Sequence, residues 1–148
     1  MQPANLFSKA DYAKLNAKQQ EVHNFHQIAA RLAVYGYATY PIRDDWNGGD
    51  MIARHMTDTN SQVLTIQIKS RATFGRKYLS KGLWIGFPLG SQVYIYPHDE
   101  VLHRYEEMRK SKGKPLDNSG AWTEGGLVHW KKPPEDLLEI LAPYVLEP

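Results

Sequence analysis

Asp50, Gln67 and Lys69 are residues whose types and spacing could do chemistry together. Asp50 offers a charged oxygen, Gln67 an amide oxygen, and the backbone carbonyl of Ile68 sits between Gln67 and Lys69 in the chain. Hard oxygens of this kind suit Mg²⁺ (or Mn²⁺), which keeps several waters when protein-bound. Lys69 beside such a cation could hold a water or hydroxide and stabilise charge developing on a phosphate. The chemistry this donor set suits is metal-assisted hydrolysis of a phosphodiester. Glu21 has two readings of equal weight. It is an exposed first-turn Glu favoured by the helix dipole, or a carboxylate aimed at a site beside the sheet, ligating directly or through water.

These residues meet only if particular elements bring them together. In residues 62–71, Val63, Thr65, Gln67 and Lys69 alternate with Leu64, Ile66 and Ile68. That period predicts a strand with Gln67 and Lys69 on one face. Asp50 follows Gly48-Gly49 and opens a second predicted strand, 51–57; Asp58-Thr59-Asn60-Ser61 reads as the turn joining the two. Upstream, Ser8 to Asp11 reads as the capping box of a short helix carrying Tyr12 and Leu15. Asn16-Ala-Lys-Gln19 reads as a second box, opening a helix that Gly36 stops. Val22, Phe25, Ile28, Ala29, Leu32 and Tyr35 form its inward stripe, with Gln20, Asn24, Gln27 and Arg31 opposite and Glu21 on the margin.

A first strand is expected over 37–43, with Pro41 marking an edge. Residues 72–82 read as a basic connector, a loop or one helical turn. Strands over 83–87 and 92–96 form a hairpin, and Pro97 opens a helix with Val101, Leu102, Tyr105 and Met108 inward. Residues 112–126 read as a mobile loop. A short strand over 127–130 and a helix with Leu137, Leu138 and Leu141 inward complete 127–148. The expectation is one 148-residue α/β domain of the α+β type: a central mixed β-sheet flanked by helices in three layers.

Composition narrows the classes. Hydrophobic content of 42% and charged content of 23% are those of an ordinary soluble globular chain. No run is long and apolar enough to span a bilayer, and the first residues do not resemble a signal peptide. Zero cysteines exclude a disulfide framework, a thiolate metal site and a cysteine nucleophile, and fit a cytoplasmic protein. No nucleophile elbow, P-loop or dinucleotide glycine motif occurs, so no organic cofactor is expected. His23 and His26 are three apart on a helix but lack a third ligand, and read as exposed helix histidines. The net charge of +2 conceals segregation: Lys69, Arg71, Arg76, Lys77 and Lys81 occur in one stretch without an acid, and Arg109, Lys110, Lys112 and Lys114 form a second run. A local positive strip suits phosphates; solvated loops are the plainer reading of either run. Trp46, in the glycine loop before Asp50, is placed to touch nucleic acid or a partner.

Gly49-Asp50-Met51-Ile52 on one strand and Ile66-Gln67-Ile68-Lys69-Ser70 on the next resemble the two motifs of the PD-(D/E)xK nuclease superfamily, the restriction-endonuclease-like fold. The likeness is to its small prokaryotic members, similar to Holliday-junction resolvases and Mrr-type endonucleases. It covers about residues 16–108 and includes the Glu21 helix before Gly36-Tyr37 and the strand ending Tyr94-Ile95-Tyr96-Pro97. The resemblance implies a Mg²⁺-dependent DNA endonuclease, often dimeric. Asp50, Gln67, Glu21 and the Ile68 carbonyl would be the metal site, and Lys69 the catalytic cation. Arg71, Arg76, Lys77 and Lys81, with Trp46, would contact DNA. The chain departs from the family pattern in having Gln67 where most members carry an acid, Gly49 in place of Pro, and a short or missing helix between the second and third motif strands. Two other readings compete: a degenerate module of the same fold that binds nucleic acid or protein without cleavage, and an interaction or immunity-type domain in which Asp50 and Lys69 lie far apart.

Overall fold

The computed structural model describes residues 6–44 and 46–148, and of Trp46 only the backbone. Helix α1 (Ala17–Val34) opens on the expected capping box: Asn16 Oδ1 accepts from the Gln19 N–H at 2.9 Å, and Gln19 Oε1 accepts from the Asn16 N–H at 3.0 Å. Such a cap contributes about 1 kcal/mol. Gly36 ends it at φ +87°, where a Cβ would lie 2.7 Å from His55 Nε2, so both backbone conformation and space require glycine. Ahead of α1 there is a 3₁₀ turn, Tyr12–Lys14, capped by Asp11 rather than Ser8. It folds back on the helix, and this buries Asn24, which the helical spacing places on the outward face; Asn24 Nδ2 donates to the Tyr12 hydroxyl. Of the predicted stripe, Ile28 and Leu32 are buried, Phe25 and Ala29 are half-buried, and Val22 and Tyr35 are exposed.

The chain continues through β1 (Tyr37–Pro41), β2 (Met51–His55), β3 (Leu64–Ile68), β4 (Ala72–Gly75), β5 (Leu83–Leu89), β6 (Gln92–Pro97), α2 (His98–Ser111), α3 (Ala121–Gly125), β7 (Leu127–Trp130), α4 (Glu135–Leu141) and β8 (Val145–Leu146). Six strands form one sheet in the order β1-β2-β3-β5-β6-β8, and β4 pairs with β7 in a second. Within the large sheet β3 and β5 are parallel and every other pair is antiparallel, a mixed sheet as expected.

The alternation read from the sequence divides the sheet's two faces. Met51, Ala53, Leu64, Ile66, Ile68, Val93 and Ile95 pack on Ile28 and Leu32 of α1. On the other face Ile85, Phe87, Tyr94 and Tyr96 meet Val101, Leu102 and Tyr105 of α2, Leu137 and Leu141 of α4, and Phe74 and Val128 of the small sheet. Each fully buried side chain of this size contributes about 1.5–3 kcal/mol.

Three expectations are corrected. The strand read as 62–71 stops at Ile68, and the supposed connector begins with β4, whose four residues are all buried. With the 3₁₀ turn Arg76–Tyr78, β4 forms the crossover from β3 to its parallel neighbour β5, in place of a helix. Residues 112–126, read as a mobile loop, carry α3 and bury Leu116 and Asp117. Arg109, counted in the second basic run, is 7% exposed. Its guanidinium donates to Pro115 O, Asn118 Oδ1 and Asp136 Oδ2, which pins that segment to α2. Leu137 and Leu141, read as inward, join Leu116 and Val128 in the core. β8 then adds an edge strand held by Arg31, which donates to Leu146 O and Ser91 O at 2.8 Å each.

Candidate functional site

Asp50 lies where β2 leaves its partner. Its N–H donates to Ile66 O at 2.8 Å, and its carboxylate Oδ2 accepts from the Ile68 N–H at 2.8 Å. The register Met51↔Ile66, carried one step further, sets Asp50 across from Gln67. N–H and C=O of one strand residue point the same way, so the Ile68 carbonyl also turns toward the Asp50 side. Lys69 points its N–H the other way, to Gly86 O at 2.9 Å. Asp50 is thus fixed one residue from Lys69. The loop that delivers it turns through two left-handed residues, Asn47 (φ 54°) and Gly48 (φ 81°). Asn47 Nδ2 donates to Lys81 O at 2.9 Å, so this loop is tied to the end of the basic stretch.

Asp50 and Ile68 line an open cleft of about 310 Å³ together with Glu21, Lys18, His26 and Pro41. Glu21 lies past the first turn of α1, which carries no acidic residue, so the first-turn reading does not hold. Its side chain is 56% exposed, paired with Lys18 at 3.4 Å, and it borders the same cleft as Asp50. Lys69 lines a second cleft of about 270 Å³ with Ser70, Arg71, Thr73, Leu127 and His129. Its ammonium lies 5.3 Å from the Tyr78 ring centroid. Gln67, half-buried, borders neither cleft. His26 borders the first cleft, while His23 packs its edge on Tyr12. Among the described residues no three His, Asp or Glu side chains gather to hold a metal. The carboxylates of Asp50 and Glu21 border the first cleft, and the Ile68 carbonyl turns toward the Asp50 side. That set fits a hard cation that keeps most of its waters and does not fit a fully protein-coordinated ion.

Of the other sequence candidates, Arg71 lines the second cleft, and Lys81 lies beside the Asn47–Gly48 loop. Arg71, Arg76, Lys77 and Lys81 are all exposed. Arg76 stacks on Trp122, 5.1 Å from the ring, and Lys77 lies 5.2 Å from the Tyr78 ring that Lys69 also faces. The Trp46 side chain lies outside the described residues. The sequence reading missed His129 of β7. Register pairs it with Thr73, and its Nδ1 lies 3.4 Å from Arg71 Nη1. The sequence signal for it was a histidine in a short strand without an assigned partner.

Buried groups hold β4, and with it the segment 69–71, against the large sheet. The Tyr96 hydroxyl donates to Thr73 O at 2.6 Å and accepts from the Thr73 N–H at 2.9 Å. Burial pushes this phenol far above its ordinary range. His98 is fully buried, and its Nε2 accepts from the Gly75 N–H at 3.1 Å. That bond fixes the proton on Nδ1, which faces Asp99 Oδ1 at 2.8 Å. Burial pulls the His98 imidazole below its ordinary pKa, against the opposing pull of Asp99. Across α2, burial alone would raise the Asp136 carboxyl, but hydrogen bonds from Tyr105, the Leu137 N–H and Arg109 outweigh it and hold it low. Among the described residues, no helix is long and apolar enough to cross a membrane. In comparisons with protein families, curated proteins and solved structures, nothing matches this chain.

Proposed function

We propose that the chain is a metal-dependent nuclease domain of the PD-(D/E)xK kind, hydrolysing DNA phosphodiester bonds with Mg²⁺ or Mn²⁺, in the cytoplasm. The observation that carries this reading is the Asp50 carboxylate, seated on the Ile68 N–H beside Lys69 in a cleft that Glu21 also borders. Asp50, Glu21 and the Ile68 carbonyl are the groups that would hold the cation, with the Gln67 amide a weaker donor. When bound, such a cation polarises a phosphoryl oxygen and acidifies a water. The Ile68 N–H orients the Asp50 carboxylate. Lys69 follows Ile68 in the chain; its ammonium, which lines the second cleft beside Tyr78, would turn toward Asp50 to orient the attacking water and meet charge on the phosphate. Arg71, Arg76, Lys77 and Lys81 supply cations for the flanking backbone. A homodimer is the assembly this reading favours for a two-strand cut.

The test is cleavage of supercoiled, branched and single-stranded DNA with Mg²⁺ or Mn²⁺. Asp50→Asn and Lys69→Ala are expected to abolish it; a Lys69→Ala protein cutting as fast as the parent sinks the mechanism. A second reading has its own support. Gln67 replaces a carboxylate, and no three-acid cluster gathers among the described residues. On that reading the domain binds DNA without cutting. Tight calorimetric Mn²⁺ binding that disappears in Asp50→Ala would count against it.

A further inference from the structure

The second cleft has the chemistry of an anion site. Lys69, Ser70, Arg71, Thr73, Leu127 and His129 line it, and no Asp or Glu is among them. At about 270 Å³ it is of the size of a phosphate with its sugar, below the roughly 300–1,000 Å³ of small-molecule pockets. Arg71 and His129 face each other at 3.4 Å with no carboxylate between them. Arginine has five donors and no acceptor, so this contact uses one guanidinium N–H and leaves an imidazole lone pair as its only complement. Lys69 Nζ lies 5.3 Å from the Tyr78 ring centroid. A cleft lined by Lys69, Arg71 and His129 without an acid is suited to an anion.

The cleft is also built rather than incidental. Thr73 Oγ1 donates to Arg71 O at 2.8 Å, fixing the bend out of β3, and Thr73 is itself held by the buried Tyr96 hydroxyl. His129 arrives from 58 residues downstream only because β7 pairs with β4. Preorganised donors of this kind lose little on binding. Lys69 follows Ile68, which borders the Asp50 cleft, and His129 also borders a third cavity with Asn118, Ser119 and Lys132.

We propose that Lys69, Ser70, Arg71 and His129 form a subsite for one backbone phosphate of a nucleic-acid strand. This rests on the nucleic-acid reading of the Asp50 cleft. His129 is thereby assigned a substrate-contacting role that no feature of its local sequence announces.

The test uses the full chain in EDTA, where no hydrolysis occurs, and a fluorescent DNA duplex read by anisotropy across a salt series. Arg71→Ala and His129→Ala are each expected to weaken binding by about fivefold to tenfold. Arg71→Ala should also flatten the slope of log affinity against log salt by about one. Lys110→Ala, an exposed cation at the end of α2, should stay within about twofold of the parent. In a parallel NMR titration, inorganic phosphate should shift the His129 ring signals saturably in the parent and not in Arg71→Ala. Folded Arg71→Ala and His129→Ala variants that bind DNA with parental affinity and slope overturn the proposal. So do His129 signals that phosphate does not move. Phosphate binding in a protein that does not bind DNA overturns the nucleic-acid assignment. If metal-dependent cleavage is absent but binding depends on Arg71 and His129, the hydrolytic reading fails and the subsite stands. If cleavage occurs with no such dependence, the subsite fails and the hydrolytic reading stands.

Discussion

Removing one oxygen atom, in Tyr96→Phe, should loosen the face that carries Lys69 and Arg71. The ring is 1% exposed and stays packed against Phe74 and Phe87, so no apolar contact is lost. What disappears is the hydroxyl that satisfies both the N–H and the C=O of Thr73, a residue only 4% exposed. A buried polar group left without a partner costs about 1–3 kcal/mol, so two such groups bound the loss at roughly 2–6 kcal/mol. The variant also escapes the cost of burying its own hydroxyl, which places the expected loss near the lower end, about 2–3 kcal/mol. Urea unfolding followed by tryptophan fluorescence reads this as a lower midpoint at unchanged slope. Tyr94→Phe is the internal control, because its hydroxyl makes one long 3.4 Å bond to Gln92, and its cost should stay below about 0.5 kcal/mol. In hydrogen exchange the Thr73 amide should lose protection before the strands of the large sheet do. If Tyr96→Phe unfolds at the parental urea concentration with Thr73 still protected, the account of how β4 is anchored is wrong.

Three further outcomes follow from the same geometry. His98 accepts from Gly75 only when neutral, and its pKa is lowered in the folded state. Its contribution is therefore complete above the ordinary value of 6.5 and is lost as pH falls through the lowered one. Unfolding midpoints between pH 7 and 5 should fall more steeply in the parent than in His98→Gln; equal slopes would remove His98 as the cause. Arg109→Met leaves Asp136, Asn118 and Pro115 O short of a donor and should cost about 3–5 kcal/mol by chemical denaturation. The double change Arg109→Met with Asp136→Leu should recover part of that loss. Gln67→Glu adds the carboxylate most members of the resembling superfamily carry and should tighten Mn²⁺ binding in calorimetry; unchanged affinity would place Gln67 outside the metal's reach.

Local features of the chain were legible where local physics decides them. The Asn16–Gln19 box, the Gly36 stop and the period-two alternation of Leu64, Ile66 and Ile68 need no distant partner, and each appears in the structure. The proximity of Asp50 to Ile68 was readable too, because a hairpin fixes its own register. The missed features are non-local. Ala72 to Gly75 looked like a connector because nothing nearby completes it; its partner is β7. Arg109 reads as a surface cation until Asp136 and the 115–118 segment close over it. β8 has two residues, too few to show a period. His129 was invisible as a site residue for the same reason as β4, since neighbours from across the chain give it meaning.

The pairing of β4 with β7 also orders events in time. The hairpins and α1 can close on near neighbours in sequence, whereas Thr73 must wait for His129. Contacts of such long separation form late and slow the approach to the native state. A growing chain can therefore lay down most of the large sheet while β4 still lacks its strand, its buried backbone groups open to water. The cationic face that Lys69, Arg71 and His129 share is then completed only after residue 130 emerges. A nascent chain would carry most of the large sheet before it carries the face that Lys69, Arg71 and His129 share.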